Sequence, residues 1–286
     1  MSILAIDIGG TKFSAAVFYG DRMALRETRP TLKEGGREWM LDQIRSIAGD
    51  LQQRHECVRC GIGFGGPVNF KDQRVAFSMH VGGWGDCPLP AELKRALGIP
   101  CVMDNDANLG ALGEYAFGAG VGCDPLLYVT ISTGIGGGIV IGGQVTHGAD
   151  SLAGEIGHTA VRPDGPECLC GARGCLERLC CGLWLERDYG KPAKTLLQDP
   201  AFVRKYVIDL ALGLKNAIML LNPARVVLGG GISKAGPALL EPLRAELRRQ
   251  LQPKISGRLD VVTAALGDDS VLYGAYELAK KEMRVR

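Results

Sequence analysis

The chain has 286 residues, 46% of them hydrophobic and 22% charged, with a formal net charge of +2. That suits one large or two medium globular domains with a full core, excludes bulk disorder, and offers no electrostatic footprint for nucleic acid or an anionic membrane. No apolar run approaches the ~18 residues of a spanning helix, and Asp7 interrupts the N-terminal apolar stretch with no basic segment before it, unlike a signal peptide.

In chain order, ILAID (3–7) reads as an apolar strand, followed by a glycine turn and two more strands, KFSAAVFYG and RMALRETRP: a β-meander. Met40, Ile44, Ile47 and Leu51 recur at spacings of three and four and predict a helix over residues 37–54. CGIGFGGPV is a strand ending in glycines. PLPAELKRALG is a short helix with proline near its start and glycine past its end. PCVMDND is a strand running into acids, and ANLGALGEYAFG continues as a helix. The layout then restarts. Residues 126–145 repeat strand, glycine turn, strand, and ARVVLGGGIS (224–233) echoes RCGIGFGGPV (59–68), so the chain reads as two duplicated halves. Residues 184–200 read as the least regular internal stretch, a surface connection. Val203, Val207, Leu210, Leu214, Ile218 and Leu221 stripe a helix over 202–221 that stops before Pro223. LDVVTAAL (259–266) is a last strand, and a helix near 269–283 closes the chain. This alternation predicts an α/β fold with mixed sheets.

Three glycine loops and one acidic turn carry the first chemical signal. In DIGGTK (7–12) the glycines admit close approach of a bulky anion, Thr11 adds a hydroxyl, and Asp7 at the strand's exit can hold water on Mg²⁺. Alone, the motif is equally an ordinary hairpin. STGIGGGI (132–139) is a second such loop at the corresponding point of the second half, which suits phosphates gripped by backbone N–H groups. No lysine follows in Walker spacing, and neither loop leads straight into a helix as a Rossmann fingerprint requires. LGGGIS (228–233) either passes close to a nucleoside or is simply a tight turn. In DNDAN (104–108), Asp106 stands near a helix N-terminus, where its ionised form is favoured. It is a helix cap or, beside phosphate loops, a base for a hydroxyl nucleophile.

Ten cysteines without a secretion signal point to free thiols or metal ligands in a reducing compartment. Cys57-x-x-Cys60 has no partner pair and reads as structural, with a redox role the lesser alternative. His158, Cys168, Cys170 and Cys175, spaced H…C-x-C-x₄-C, suit a closed tetrahedral Zn²⁺ site. Such a site leaves no position for water, which argues against a zinc hydrolase. Glu155 and Glu177 bracket these ligands and can hydrogen-bond a polyhydroxylated molecule, whereas Glu167 and Glu186 read as solvated surface acids.

DIGGTK, GIGFGGPV, DNDANLGALGE, TGIGGGIV, GEIGH, CLCGARGCLE and VVLGGGIS, in this order along essentially the whole chain, resemble the ROK family of sugar kinases and sugar-responsive repressors. The resemblance implies an actin-like, ribonuclease-H-type two-domain ATPase, commonly a homodimer. The domains are expected at residues 1–115 plus the C-terminal helix (about 270–286), and at 116–269. It implies transfer of the ATP γ-phosphoryl group to a hexose, usually glucose at its 6-hydroxyl. Fructose, allose, N-acetylmannosamine and N-acetylglucosamine are the alternative sugars, and a non-catalytic sugar sensor the alternative function. Carried over by motif, Asp106 is the base, and Asn105, Glu155, His158 and Glu177 are sugar ligands under a loop at Gly65 and Gly66. Asp7, Gly9, Gly10, Thr11 and Lys12 face phosphates and Mg²⁺, as Thr133 and Gly134 do in the second half, while Gly229 and Gly230 adjoin the adenosine. The repressors carry a DNA-binding helix-turn-helix before the first phosphate loop, and a loop starting at Asp7 leaves no room for one, which favours an enzyme; the cysteine usage makes a cytoplasmic location the expectation. Met79-His80-Val81 departs from the Asn-Leu that many members carry before the tryptophan, and residues 178–200 are atypical.

Overall fold

The computed structural model describes residues 1–79 and 81–283; His80 and residues 284–286 lie outside it. The chain divides into two compact units, Met1–Ala116 with His147–Ala153 and Asp269–Arg286, and Phe117–Thr146 with Gly154–Asp268. In unit 1, β1 (Ser2–Ile8), β2 (Lys12–Tyr19) and β3 (Arg22–Pro30) form the meander and α1 (Gly36–Arg54) comes next. After it come β4 (Cys57–Phe64), a small hairpin of β5 (Val68–Asn69) and β6 (Arg74–Val75), α2 (Leu89–Leu97), β7 (Cys101–Asn105) and α3 (Asp106–Phe117).

In unit 2, β8 (Leu126–Ile131), β9 (Ile135–Ile141) and β10 (Gln144–Val145) repeat the meander. The helices α4 (Leu176–Cys180), α5 (Gly182–Tyr189), α6 (Ala193–Leu196) and α7 (Pro200–Leu221) precede β11 (Arg225–Gly229). Then come α8 (Gly230–Ser233), α9 (Pro237–Gln250), α10 (Pro253–Ser256) and β12 (Asp260–Thr263), and α11 (Ser270–Glu282) returns to unit 1.

The two sheets have one plan. Unit 1 is ordered β3-β2-β1-β4-β7 and unit 2 β10-β9-β8-β11-β12, each with antiparallel pairing inside the meander and parallel pairing beyond it. The strand period of two explains how unit 1 is covered. Cys60, Ile62 and Phe64 of β4 join the core formed with Met40, Ile44, Ile47 and Leu51 of α1. Gly61 and Gly63, on the alternate face, lie against α11: a Cβ on Gly61 would overlap the Ala275 carbonyl. The helices α3 and α11 meet backbone to backbone, since a Cβ on Gly113 would sit 2.1 Å from Ser270 O and one on Gly274 1.9 Å from Leu109 O.

The long helix α7 shows how sequence sets element ends. Asp199 caps it by accepting from the Ala201 N–H at 2.8 Å, Pro200 occupies its first position, and Asn222 ends it in the left-handed region at φ 49°. The stretch 184–200, expected to be irregular, is instead largely helical: α5 spans Gly182–Tyr189 and α6 Ala193–Leu196. The Trp184 ring packs under the guanidinium of Arg178 at 4.0 Å and near that of Arg187 at 5.1 Å, a cation–π stack no hydrophobic period announces.

These close approaches set a test of two helical glycines. Gly113→Ala should destabilise unit 1 by about 1–3 kcal/mol through overpacking. Gly49→Ala, on an α1 face with nothing within 4 Å, should stabilise it by about 0.5–1 kcal/mol through helix propensity. Thermal and urea unfolding of the two variants should therefore shift in opposite directions.

Candidate active site

Asp7 is the penultimate residue of β1, and the Gly9 N–H donates to Lys12 O at 3.0 Å to close the first glycine turn. A Cβ on Gly9 would meet that carbonyl at 2.9 Å, so the turn requires glycine. Thr31 Oγ1 holds the turn from behind, donating to Gly9 O at 2.9 Å. Beneath it lies a void of about 10 Å³, room for one water, lined by Gly9, Gly10, Phe64, Gly65, Ser78 and Trp84 among others. The Met79 side chain is exposed and Val81 buried, while the departure at His80 lies outside the described residues.

Gly65 joins this turn to the acidic one. Its N–H donates to Ile8 O at 2.8 Å. A Cβ on it would lie 3.5 Å from Gly9 Cα and 3.5 Å from Asp106 Oδ2. Asp106 is the first residue of α3, and its Oδ1 accepts from the Ala107 N–H at 2.9 Å. The helix cap is Asn105, not Asp106. Asn105 Oδ1 accepts from the N–H groups of Ala107 (2.9 Å) and Asn108 (3.3 Å), while its Nδ2 donates to Gly66 O at 2.9 Å.

The residue before the cap was missed by motif reading. Asp104 is 1% exposed, and its carboxylate takes bonds from the Asn105 N–H (2.7 Å), Asn108 Nδ2 (3.0 Å) and His147 Nε2 (2.7 Å). The His147 ring stacks on Phe70, with centroids 3.9 Å apart. Asp104 was visible in DNDAN, but its partner is 43 residues away and no local pattern links the two.

In unit 2 the second glycine turn is pinned by α4 and α5, the two helices just past the cysteine segment. Ser132 N–H donates to Gly134 O at 2.8 Å, and Ile135 N–H donates to Glu177 Oε2 at 2.8 Å. Gly182 and Leu183, opening α5, donate to the carbonyls of Ser132 and Thr133. A Cβ on Gly134 would lie 2.7 Å from Glu177 Oε2, so Gly134 and Glu177 are matched in size. The third loop packs tightly on β8. A Cβ on Gly229 would overlap the Tyr128 hydroxyl, and Gly230, at φ 80°, lies against Ile131 O. Packing alone thus accounts for glycine at both positions.

His158 and Cys175 are brought together by an isolated bridge between Ala160 and Cys175. With Cys168 and Cys170 they place four ligand atoms within 4.8 Å of one another. Cys170 and Cys175 sulfurs are 3.6 Å apart and Cys168 Sγ is 3.9 Å from His158 Nδ1. Tetrahedral Zn²⁺ with ~2.3 Å Zn–S bonds places its sulfurs about 3.8 Å apart, so the donor set fits such an ion. Burial and the neighbouring thiols push the Cys175 thiol up to about 12, while the Ala172 backbone N–H lowers that of Cys170. Glu155, next to His158, keeps access to water. The protein around it still raises its carboxyl, His158 pulls it back, and Glu177 adds to the rise. Cys57 and Cys60 are buried free thiols in β4, both pushed up by burial, which is the profile of structural cysteines. Among the described residues no helix is long and apolar enough to cross a membrane.

The ROK family model matches residues 3–282. The glucokinase of Thermotoga maritima is 33% identical, the match covering 99% of this chain and 98% of that protein. The ROK hexokinase structure from Thermus thermophilus superposes with a TM-score of 0.84 at 34% identity, covering 100% of both chains. A ROK family glucokinase from Streptomyces griseus, solved in complex with glucose and AMPPNP, superposes with a TM-score of 0.86 at 30% identity, covering 98% of this chain and 100% of that one.

The cysteine set predicts selective metal loss. Purified protein should carry about one zinc per chain. Cys175→Ser should abolish stoichiometric binding and lower the unfolding temperature, whereas Cys57→Ser should leave metal content unchanged, as elemental analysis and the thiolate absorption of a cobalt-substituted sample would report.

Proposed function

The chain belongs to the ROK family, and on that premise we propose that it is an ATP-dependent sugar kinase that phosphorylates the 6-hydroxyl of glucose. Its fold is the actin-like, ribonuclease-H-type ATPase fold of its structural relatives. The observation that carries the reading is the position of Gly65, where a Cβ would lie 3.5 Å from both Gly9 Cα of the first phosphate turn and the Asp106 carboxylate. That geometry supports an acceptor hydroxyl and a phosphate meeting where only a glycine leaves room.

Asp106 has one oxygen committed to the Ala107 N–H, and the other faces Gly65. Its seat at the start of α3 favours the charged form. Phosphoryl transfer passes through a loose transition state in which the nucleophile needs little early activation. Asp106 therefore orients the hydroxyl and takes its proton late. Asn105, Glu155, His158 and Glu177 hold the sugar hydroxyls, with Gly65 and Gly66 closing over the ring. One oxygen of Glu177 is already fixed by Ile135, so a sugar hydroxyl reaches a carboxylate that cannot swing away. Asp7, Gly9, Gly10, Thr11 and Lys12 receive phosphate oxygens, as do Thr133 and Gly134, and Gly229 and Gly230 flank the adenosine. Asp7 would hold a Mg²⁺ ion through water, and the ion would supply positive charge against the phosphates. His158, Cys168, Cys170 and Cys175 would hold a structural Zn²⁺, with all four positions taken by protein and the imidazole of His158 fixed by it.

We take residues 1–115 with 270–286 as one functional domain and 116–269 as the other. The protein is read as a homodimer, and as cytoplasmic because none of its ten cysteines is in a disulfide.

A coupled assay of ADP release across a sugar panel tests the reading. Glucose should give the highest kcat/KM, and preference for fructose, allose or an N-acetylhexosamine would reassign the substrate. Sugar binding without any turnover would replace the kinase with a sensor. Asp106→Asn should keep sugar affinity by calorimetry while turnover falls by ~10²–10⁴-fold or more.

A further inference from the structure

His147 belongs to no motif, yet it is the outer end of a chain of contacts that closes on the turn carrying Asp106. It opens the strap His147–Ala153, which packs with unit 1 although the chain on either side belongs to unit 2. Two anchors hold the strap. The imidazole stacks on Phe70 with ring planes 12° apart, and Ser151 Oγ accepts from the Phe70 N–H at 3.0 Å. Phe70 lies in the β5–β6 loop, and the same loop supplies Gln73. Gln73 braces the free edge of β7: its Oε1 accepts from Met103 N–H at 2.7 Å, and its Nε2 donates to Met103 O at 3.0 Å and Phe70 O at 2.8 Å. β7 is the last strand of its sheet, so its outer backbone groups would otherwise lack partners. Gln73 makes these bonds from φ 54°, a left-handed conformation that a non-glycine residue keeps only where its surroundings over-determine it.

Between brace and strap stands Asp104. Its side chain is 2% exposed and that of His147 20%. Oδ2 takes the His147 ring N–H, while Oδ1 holds the Asn105 N–H and Asn108 Nδ2, residues on both sides of Asp106. A buried polar pair is a poor stabiliser, since apolar groups of equal volume often serve as well; its better-attested use is to select one arrangement. Without the His147 bond, Asp104 would hold the Asn105 N–H and Asn108 Nδ2 less firmly, and the turn that carries Asp106 would loosen with it.

We infer that His147 is a positioning residue for phosphoryl transfer: bonded to Asp104, it fixes the turn that presents Asn105 and Asp106. The inference rests on the kinase reading for its effect on rate, but not for its effect on the turn. The strap continues along the chain to Glu155, so the group that steadies the base is covalently close to one assigned to the sugar.

The test compares His147→Phe, which keeps the stack on Phe70 and removes the ring N–H, with His147→Gln, whose amide reaches Asp104. Steady-state kinetics should show kcat of His147→Phe down on the order of 10- to 100-fold with KM for sugar and ATP within about threefold, and His147→Gln close to the parent. Hydrogen exchange on the ligand-free protein should show the amides of Asn105, Ala107 and Asn108 exchanging faster in His147→Phe than in the parent or His147→Gln, with α1 and α7 unchanged. Should His147→Phe fail to fold, His147→Asn, one methylene too short for Asp104, takes its place in both measurements. Parental kcat and parental exchange in the variant that cannot reach Asp104 would overturn the inference. So would equal losses in both variants with faster exchange throughout unit 1, which would mark a merely structural histidine. If the parent itself turns over no sugar, the kinase reading fails, and the exchange measurement alone still decides whether His147 holds the turn.

Discussion

Unit 1 depends on one awkward junction: an edge strand ending at Asn105 must become a helix at Asp106, whose own side chain is a carboxylate. The first N–H groups of any helix lack intrahelical partners. If Asp106 satisfied them it would be consumed as a cap. Asn105 does so instead, and its remaining amide group ties the junction to Gly66 O. The division of labour between adjacent residues is what leaves Asp106 Oδ2 facing Gly65. Packing elsewhere serves the same end. Backbone contact at Gly113 and Gly274 sets α3 against α11, which fixes the axis along which Asp106 is presented.

The duplicated plan shows what one architecture can do twice. Both meanders end their first strand in a glycine turn, and the fourth strands of the two sheets, β4 and β11, both run into paired glycines. The halves then diverge. After β4 the glycines leave space beside a carboxylate; after β11 they let the chain pass against Tyr128 and Ile131. The turn between β8 and β9 is held by Glu177 and the start of α5, whereas the turn between β1 and β2 is held by Thr31. Identical topology thus fixes where loops emerge, and a few long-range hydrogen bonds decide what each loop becomes.

Much of this was legible locally. The stripes of α1 and α7 and the repeated strand–glycine–strand layout are patterns of short range, and they survive into the structure because tertiary packing uses the same faces. The cysteine segment was legible for a similar reason: its ligands lie close in sequence, and only the Ala160–Cys175 bridge had to be supplied by folding. What stayed hidden was non-local or aperiodic. Helix α5 buries only Leu185 and relies on Arg–Trp stacking, so it shows no stripe. Asn105 and Asp106 are both good caps on composition, and backbone geometry chose between them. The Asp104–His147 pair and the Gln73 brace span sequence distances that no window sees.

The ten thiols are unequal, and their inequality has a practical side. Cys170 alone among them is exposed, and the Ala172 N–H lowers its thiol, while burial raises those of Cys168 and Cys175. Soft electrophiles and peroxides attack the thiolate form, so chemical damage to this protein should begin at that sulfur. One alkylated or oxidised atom at the surface would then undo the loop that carries His158, making the most accessible cysteine the point at which handling, storage or an oxidative burst switches the molecule off.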